Sequence, residues 1–181
     1  MATTLKEISD FLTEEGLKHG IPEGKDFIRT GFKMENYKDP DGDPHLRVIV
    51  RADEDGEFVK VFAPSAYKCP TDANSFNRLS LFQTLLQVSW MTKMLQFEYD
   101  AEDGEIRPMI EFPLEDAKLT RRQIARCVHA MPQIIDKYHD DIQDAIKHGL
   151  AMESPNKNRE AFEEFMRQRR EERRRDLGDV E

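Results

Sequence analysis

The chain has 181 residues, 38% hydrophobic and 35% charged, with a net charge of -9, which is enough for one compact domain with a core plus an appendage. That acidic balance argues against nucleic acid as the main partner, since phosphate would be repelled, and no apolar run approaches the ~20 residues of a bilayer span. The two cysteines, Cys69 and Cys127, lack a second Cys or a His at metal-ligand spacing, and the N-terminus has no basic region followed by an apolar one, so a reducing, cytoplasmic setting without a disulfide framework is expected.

Thr4 followed by Glu7 is a capping box opening a first helix with Leu5, Ile8 and Leu12 on one face, ended by Gly16, Gly20 and Pro22. Three strands follow: residues 28–34, residues 46–51, where Leu46, Val48 and Val50 alternate with Arg47 and Arg51, and residues 57–63. The connection Asp53-Glu54-Asp55-Gly56 tolerates the positive φ angles of a hairpin turn. A second helix runs from about Asp72 to Met91. Phe76, Leu79, Leu81, Phe82, Leu85, Leu86, Val88, Trp90 and Met91 leave it little polar face, so it is expected at the centre of the core or against another subunit. Residues 95–99 and 106–112 read as two more strands around Asp103-Gly104, with Pro108 pointing to an edge or a bulge. A third helix runs from Thr120 to about His148. Ile124, Val128, Met131, Ile135, Tyr138, Ile142 and Ala145 form a heptad-like stripe, which packs on its own sheet or pairs helices across subunits. Pro132 is expected to kink or divide it.

Ser154-Pro155-Asn156 reads as a linker. Beyond it, a helix over residues 160–176 is expected. Phe162, Phe165 and Met166 would be its apolar anchor, and Arg169, Arg170, Arg173, Arg174 and Arg175 its charge. The arginine run fits a solvated helix, a docking segment for an acidic protein surface, or RNA contact, the last disfavoured because no aromatic residues interleave it. Asp39-Pro40-Asp41-Gly42-Asp43 resembles a calcium loop, but Pro44 and Val50 stand where the glycine and closing carboxylate belong, leaving a strand-connecting turn. None of His19, His45, His129, His139 and His148 sits at zinc spacing, and no nucleophile elbow or phosphate-binding glycine string occurs. No catalytic residue, cofactor or metal is assigned, and a non-enzymatic domain is expected.

Several strings suggest a relationship. The helix ending Leu85-Leu86-Gln87-Val88-Ser89-Trp90 leads to Phe97-Glu98-Tyr99-Asp100. Then come Asp103-Gly104-Glu105-Ile106-Arg107 and Phe112-Pro113-Leu114-Glu115-Asp116-Ala117-Lys118-Leu119-Thr120, before the long helix. With the order helix, three strands, helix, two strands, helix, this resembles the YbjN family and the fold of type III secretion chaperones over residues 1 to about 150. The resemblance implies a small, acidic, cytoplasmic, dimeric protein without enzymatic activity that holds a partner polypeptide. The sequence therefore predicts an α+β fold with a mainly antiparallel five-stranded sheet and packed helices (α-β-β-β-α-β-β-α) over residues 1–152, and a charged helical tail over 153–181. The expected function is chaperone-like or adaptor binding of another protein by a homodimer, with no membrane or nucleic-acid partner. The alternative is a structural subunit docked into a larger assembly through its tail.

Overall fold

Thr4 opens α1 (Leu5–Glu14) with a complete capping box. Its hydroxyl accepts from the Glu7 N–H while the Glu7 carboxylate accepts from the Thr4 N–H at 2.8 Å. The structure, a computed structural model, describes residues 3–69 and 75–152 of a chain that divides into two units, Met1–Ala151 and Met152–Glu181. In the first unit α1 is followed by β1 (His19–Gly20), β2 (Phe27–Lys33), β3 (His45–Asp53), β4 (Phe58–Phe62) and β5 (Tyr67–Lys68). Then come α2 (Ser75–Met91), β6 (Gln96–Tyr99), β7 (Glu105–Pro113), α3 (Arg121–Lys137) and α4 (His139–His148). The fold is α+β, with a seven-stranded antiparallel sheet. Its five longer strands are those expected from alternation. β1 and β5 are two-residue strands, too short to show any period.

β2, β3 and β4 form a meander in continuous register, Ile28 opposite Val50 and Val50 opposite Val61. The turn between β3 and β4 takes the expected left-handed backbone at Glu54, Asp55 and Gly56. β7 is central. Met109 pairs with Phe62 of β4 and with Gln96 of β6, so those two strands flank it on opposite sides. Ile106 pairs with Tyr67 of β5 and Tyr99 of β6, which places β5 on the β4 side. Pro108 thus lies in a central strand, not at an edge. It stands opposite Ala63, where β4 gives way to β5.

Alternate residues Ile28, Val48, Val50, Val59, Val61, Ile106 and Ile110 are fully or almost fully buried and meet Ile8 and Leu12 of α1 and Ile124, Val128, Met131 and Ile135 of α3. Each such side chain contributes roughly 1.5–3 kcal/mol by leaving water. The heptad-like stripe is therefore used within the chain: Ile142 and Ala145 of α4 are also fully buried. Pro132 does not divide the helix. It is buried inside α3, and the break comes at Tyr138, whose backbone leaves helical geometry. Tyr99 and Tyr67 flank Ile106 on its face of the sheet, and they meet Phe82 of α2 and His139 of α4. All the described helices thus lie on one side, leaving the other face open.

Candidate protein-binding surfaces

α2 departs most from expectation. It is not enclosed by the core. Leu81, Leu85 and Val88 face inward with the buried hydroxyl residues Ser80 and Thr84, and the Thr84 hydroxyl donates to the Ser80 carbonyl at 2.9 Å. The opposite face carries Phe76, Leu79, Leu86 and Trp90, exposed by 65, 66, 71 and 87%. With exposed Gln83 they follow the spacing three, four, three, four of a single helical stripe. Large apolar side chains aligned in this way mark an interaction surface, unlike scattered exposed leucines. The helix is held by contact with α4, where the Asn77 amide donates to the Ile146 carbonyl, and by Phe82 against the Tyr99 ring at 5.0 Å.

The open sheet face has two halves. Around β4 and β7 its charges neutralise one another. Arg51 meets Asp53 at 2.9 Å, Lys60 lies between Asp53 and Glu111, and Arg107 bonds Glu98 at 2.6 Å while covering the Phe62 ring. Toward β1 and β5 the surface falls into a groove of about 910 Å³, lined by Lys18, Arg29, Arg47, Tyr37, Tyr67 and Lys68 among others. The tyrosines that line it are braced from behind. The Tyr37 hydroxyl donates to the Ala66 carbonyl at 2.9 Å, the Tyr67 ring stacks on His139, and Tyr37 meets His139 edge-on. Burial raises the pKa of both phenols and lowers that of His139. Asp136, at the end of α3, accepts the backbone N–H groups of Glu35, Asn36 and Tyr37 on one carboxylate oxygen. Partial burial would raise its pKa, but these donors outweigh it and hold the carboxyl below its usual value.

Comparison with known proteins rests on structure. No family profile matches the sequence, and no curated protein matches it. The crystal structure of YbjN from E. coli, a candidate transcription regulator, matches with a TM-score of 0.56 at 11% identity, covering 77% of this chain and 94% of that one. The fold is YbjN-like. The HopA1–SchA chaperone–effector complex also matches, with a TM-score of 0.45 at 11% identity, over 72% of this chain and 88% of that one.

The YbjN-like fold covers none of the residues assigned to partner binding from the sequence. Phe162, Phe165, Met166, Arg169, Arg170, Arg173, Arg174 and Arg175 all lie outside the described residues. Sequence reasoning counted the apolar residues of α2 but did not separate its two faces. The signal was the pair of hydroxyl residues, Ser80 and Thr84, on what proves to be the buried side. The groove had no local signal, because it is assembled from five separate segments of chain. Among the described residues no group of three or more His, Cys, Asp or Glu is placed to hold a metal ion, and no helix is long and apolar enough to cross a membrane.

Proposed function

We propose that this chain is a non-enzymatic protein-binding domain, chaperone-like or adaptor in kind, that engages a partner polypeptide and works as a homodimer. The observation that carries the reading is the exposed stripe of α2. Its order is aromatic, aliphatic, glutamine, aliphatic, aromatic. Phe76 and Trp90 stand seven residues either side of Gln83, and Leu79 and Leu86 four and three. A two-fold interface needs a surface that is complementary to itself. Antiparallel pairing of two α2 helices satisfies this, setting Phe76 beside Trp90 of a second copy, Leu79 beside Leu86, and the two Gln83 amides together at the axis. The open sheet face, on the side away from the described helices, stays free for the partner polypeptide.

Sedimentation of the full chain tests the dimer. We expect a dimer at micromolar concentration and a monomer of unchanged helical content for the double substitution Leu86→Lys and Trp90→Lys. A wild-type monomer at high micromolar concentration overturns the homodimer. Affinity purification of the full chain tests partner binding. Protein binding itself is overturned if the wild-type chain retains no polypeptide in stoichiometric amount.

A further inference from the structure

The helices do not close evenly over their side of the sheet. α2 packs on α4 and β6, and α3 on α1 and β7. Between the turn that follows α2 and the first two turns of α3 lies a cavity of about 620 Å³, well inside the ~300–1,000 Å³ range of small-molecule sites. Its floor is apolar: Ile110 and Phe112 reach it from β7 and Cys127 from α3. Burial pushes the Cys127 thiol up to about 11, so this part of the floor is neutral. Met94 stands at the mouth, half-exposed and at φ 71. Left-handed backbone is strained for a residue with a Cβ, and such strain gathers at ligand sites. Here it holds a flexible thioether, able to shape itself to a guest, at the rim of the cavity.

Three polar side chains border that floor from α3. Arg122 and Arg126 stand about one helical turn apart and form no hydrogen bond or ion pair among the described residues. Arg126 lies close enough to the Cys127 thiol to oppose its rise in pKa, which places the guanidinium beside the floor. Arg121, by contrast, is paired with Glu14 and Glu15. Gln123 is oriented by the helix cap. Its side-chain oxygen accepts from the Thr120 N–H and hydroxyl, both at 2.8 Å. Its amide nitrogen has no partner among the described residues and keeps two N–H groups to donate. Glu111 is the one carboxylate among the lining residues, and it is already engaged by Lys60 at 3.7 Å and by the Gln96 amide at 3.4 Å. From Ala117 to Ile135 the chain carries Lys118, Arg121, Arg122 and Arg126 and no Asp or Glu, on a molecule of net charge -9.

We propose that this cavity binds a small amphipathic carboxylate. The head group lies on Arg122, Arg126 and the Gln123 amide, and the hydrocarbon body lies on Ile110, Phe112 and Cys127 beneath Met94. Guanidinium groups match a carboxylate with paired, charge-assisted hydrogen bonds. Glu111 at the rim repels the two charges of a phosphate monoester more than the single charge of a carboxylate. None of Phe76, Leu79, Leu86 and Trp90 lines the cavity, so it is distinct from the exposed stripe of α2. The site goes beyond the protein-binding reading and does not depend on it.

Decanoate is the probe, titrated into the full chain by calorimetry and located by methionine-methyl NMR. One equivalent should bind with a Kd of about 100 μM or tighter. The Met94 methyl resonance should shift, while that of Met34, beyond the end of β2, should not. Decanol, which lacks the charge, should bind at least about tenfold more weakly, and so should decanoate to the Arg122→Gln, Arg126→Gln chain. Arg121→Gln removes a neighbouring charge that is already paired and should change the affinity by less than about twofold. Met94→Gly relieves the backbone, so that chain should unfold no more easily than wild type yet bind decanoate several-fold more weakly. Equal affinity for decanol, full binding by the double arginine variant, or an unmoved Met94 methyl would each overturn the proposal. Loss of binding in the Leu86→Lys, Trp90→Lys chain would also overturn it, by placing the probe on the α2 stripe. Tighter binding of decyl phosphate, or of a peptide ending in an apolar residue, would overturn the choice of ligand.

Discussion

Replacing Asp136 with alanine tests how the groove is held. One carboxylate oxygen receives the N–H groups of Glu35, Asn36 and Tyr37 at 3.2, 2.9 and 2.9 Å, and the other receives the Asn36 amide at 3.3 Å. Hydrogen bonds to a charged group are worth about 1.5–3 kcal/mol each. Glu35 and Asn36 are exposed, so water recovers most of their loss, at about 0.5–1 kcal/mol apiece, whereas the part-buried Tyr37 N–H loses about 1–2 kcal/mol. The sum is about 3 kcal/mol, which for a domain of this size lowers Tm by roughly 6–12 °C. Asp136→Asn keeps the acceptor without the charge and should cost about 1 kcal/mol. The sign with pH follows from the lowered pKa. The folded state holds its proton less tightly than the unfolded state, so the carboxylate contributes above the ordinary value of 3.8 and loses that contribution as pH falls through its folded value. Thermal unfolding followed by circular dichroism should show wild type and Asp136→Asn converging as pH falls below 3.8. An Asp136→Ala Tm within about 2 °C of wild type at pH 7, or a difference that ignores pH, refutes the account.

His139 works in the opposite range: burial lowers its pKa, so the unfolded chain binds the proton first, and urea titrations should show stability falling as pH drops below about 6.5. His139→Gln should flatten that slope. Gly56→Ala should destabilise by about 2–4 kcal/mol in the same titration, because the residue sits at φ 92 and a Cβ would collide with the Thr3 backbone. Cys127 is buried and burial pushes its thiol up to about 11, so a thiol reagent should label it only as fast as the chain opens, and urea should accelerate labelling. Gln83→Leu should tighten self-association in sedimentation by removing the polar pair from the proposed axis.

Much of the fold was legible because it depends on local chemistry. The Thr4–Glu7 box, the left-handed turn at Glu54 to Gly56 and the alternation of β2, β3 and β7 need no knowledge of distant residues. Two features were misplaced for lack of tertiary context. Pro132 is tolerated in α3, and the chain bends instead at Tyr138, which no local rule marks. α2 looked like a core helix because its composition is apolar on most sides, yet composition does not say which side a sheet will cover. The groove was illegible for a third reason. Its walls come from β3 and β5, a relation visible only once the strands are paired.

The place of β7 between β4 and β6 has a consequence for synthesis. β2, β3 and β4 can zip together as soon as they leave the ribosome, β2 joined to β3 by residues 34–44 and β3 to β4 by a tight turn. β4 must then wait for its other neighbour while α2 and β6 are made. At about 5–20 residues per second, that leaves one edge of the nascent meander bare for on the order of 3–10 s. Bare edges recruit other chains. Lys60 sits in the middle of that strand, a charge of the kind that discourages stray pairing at a bare edge.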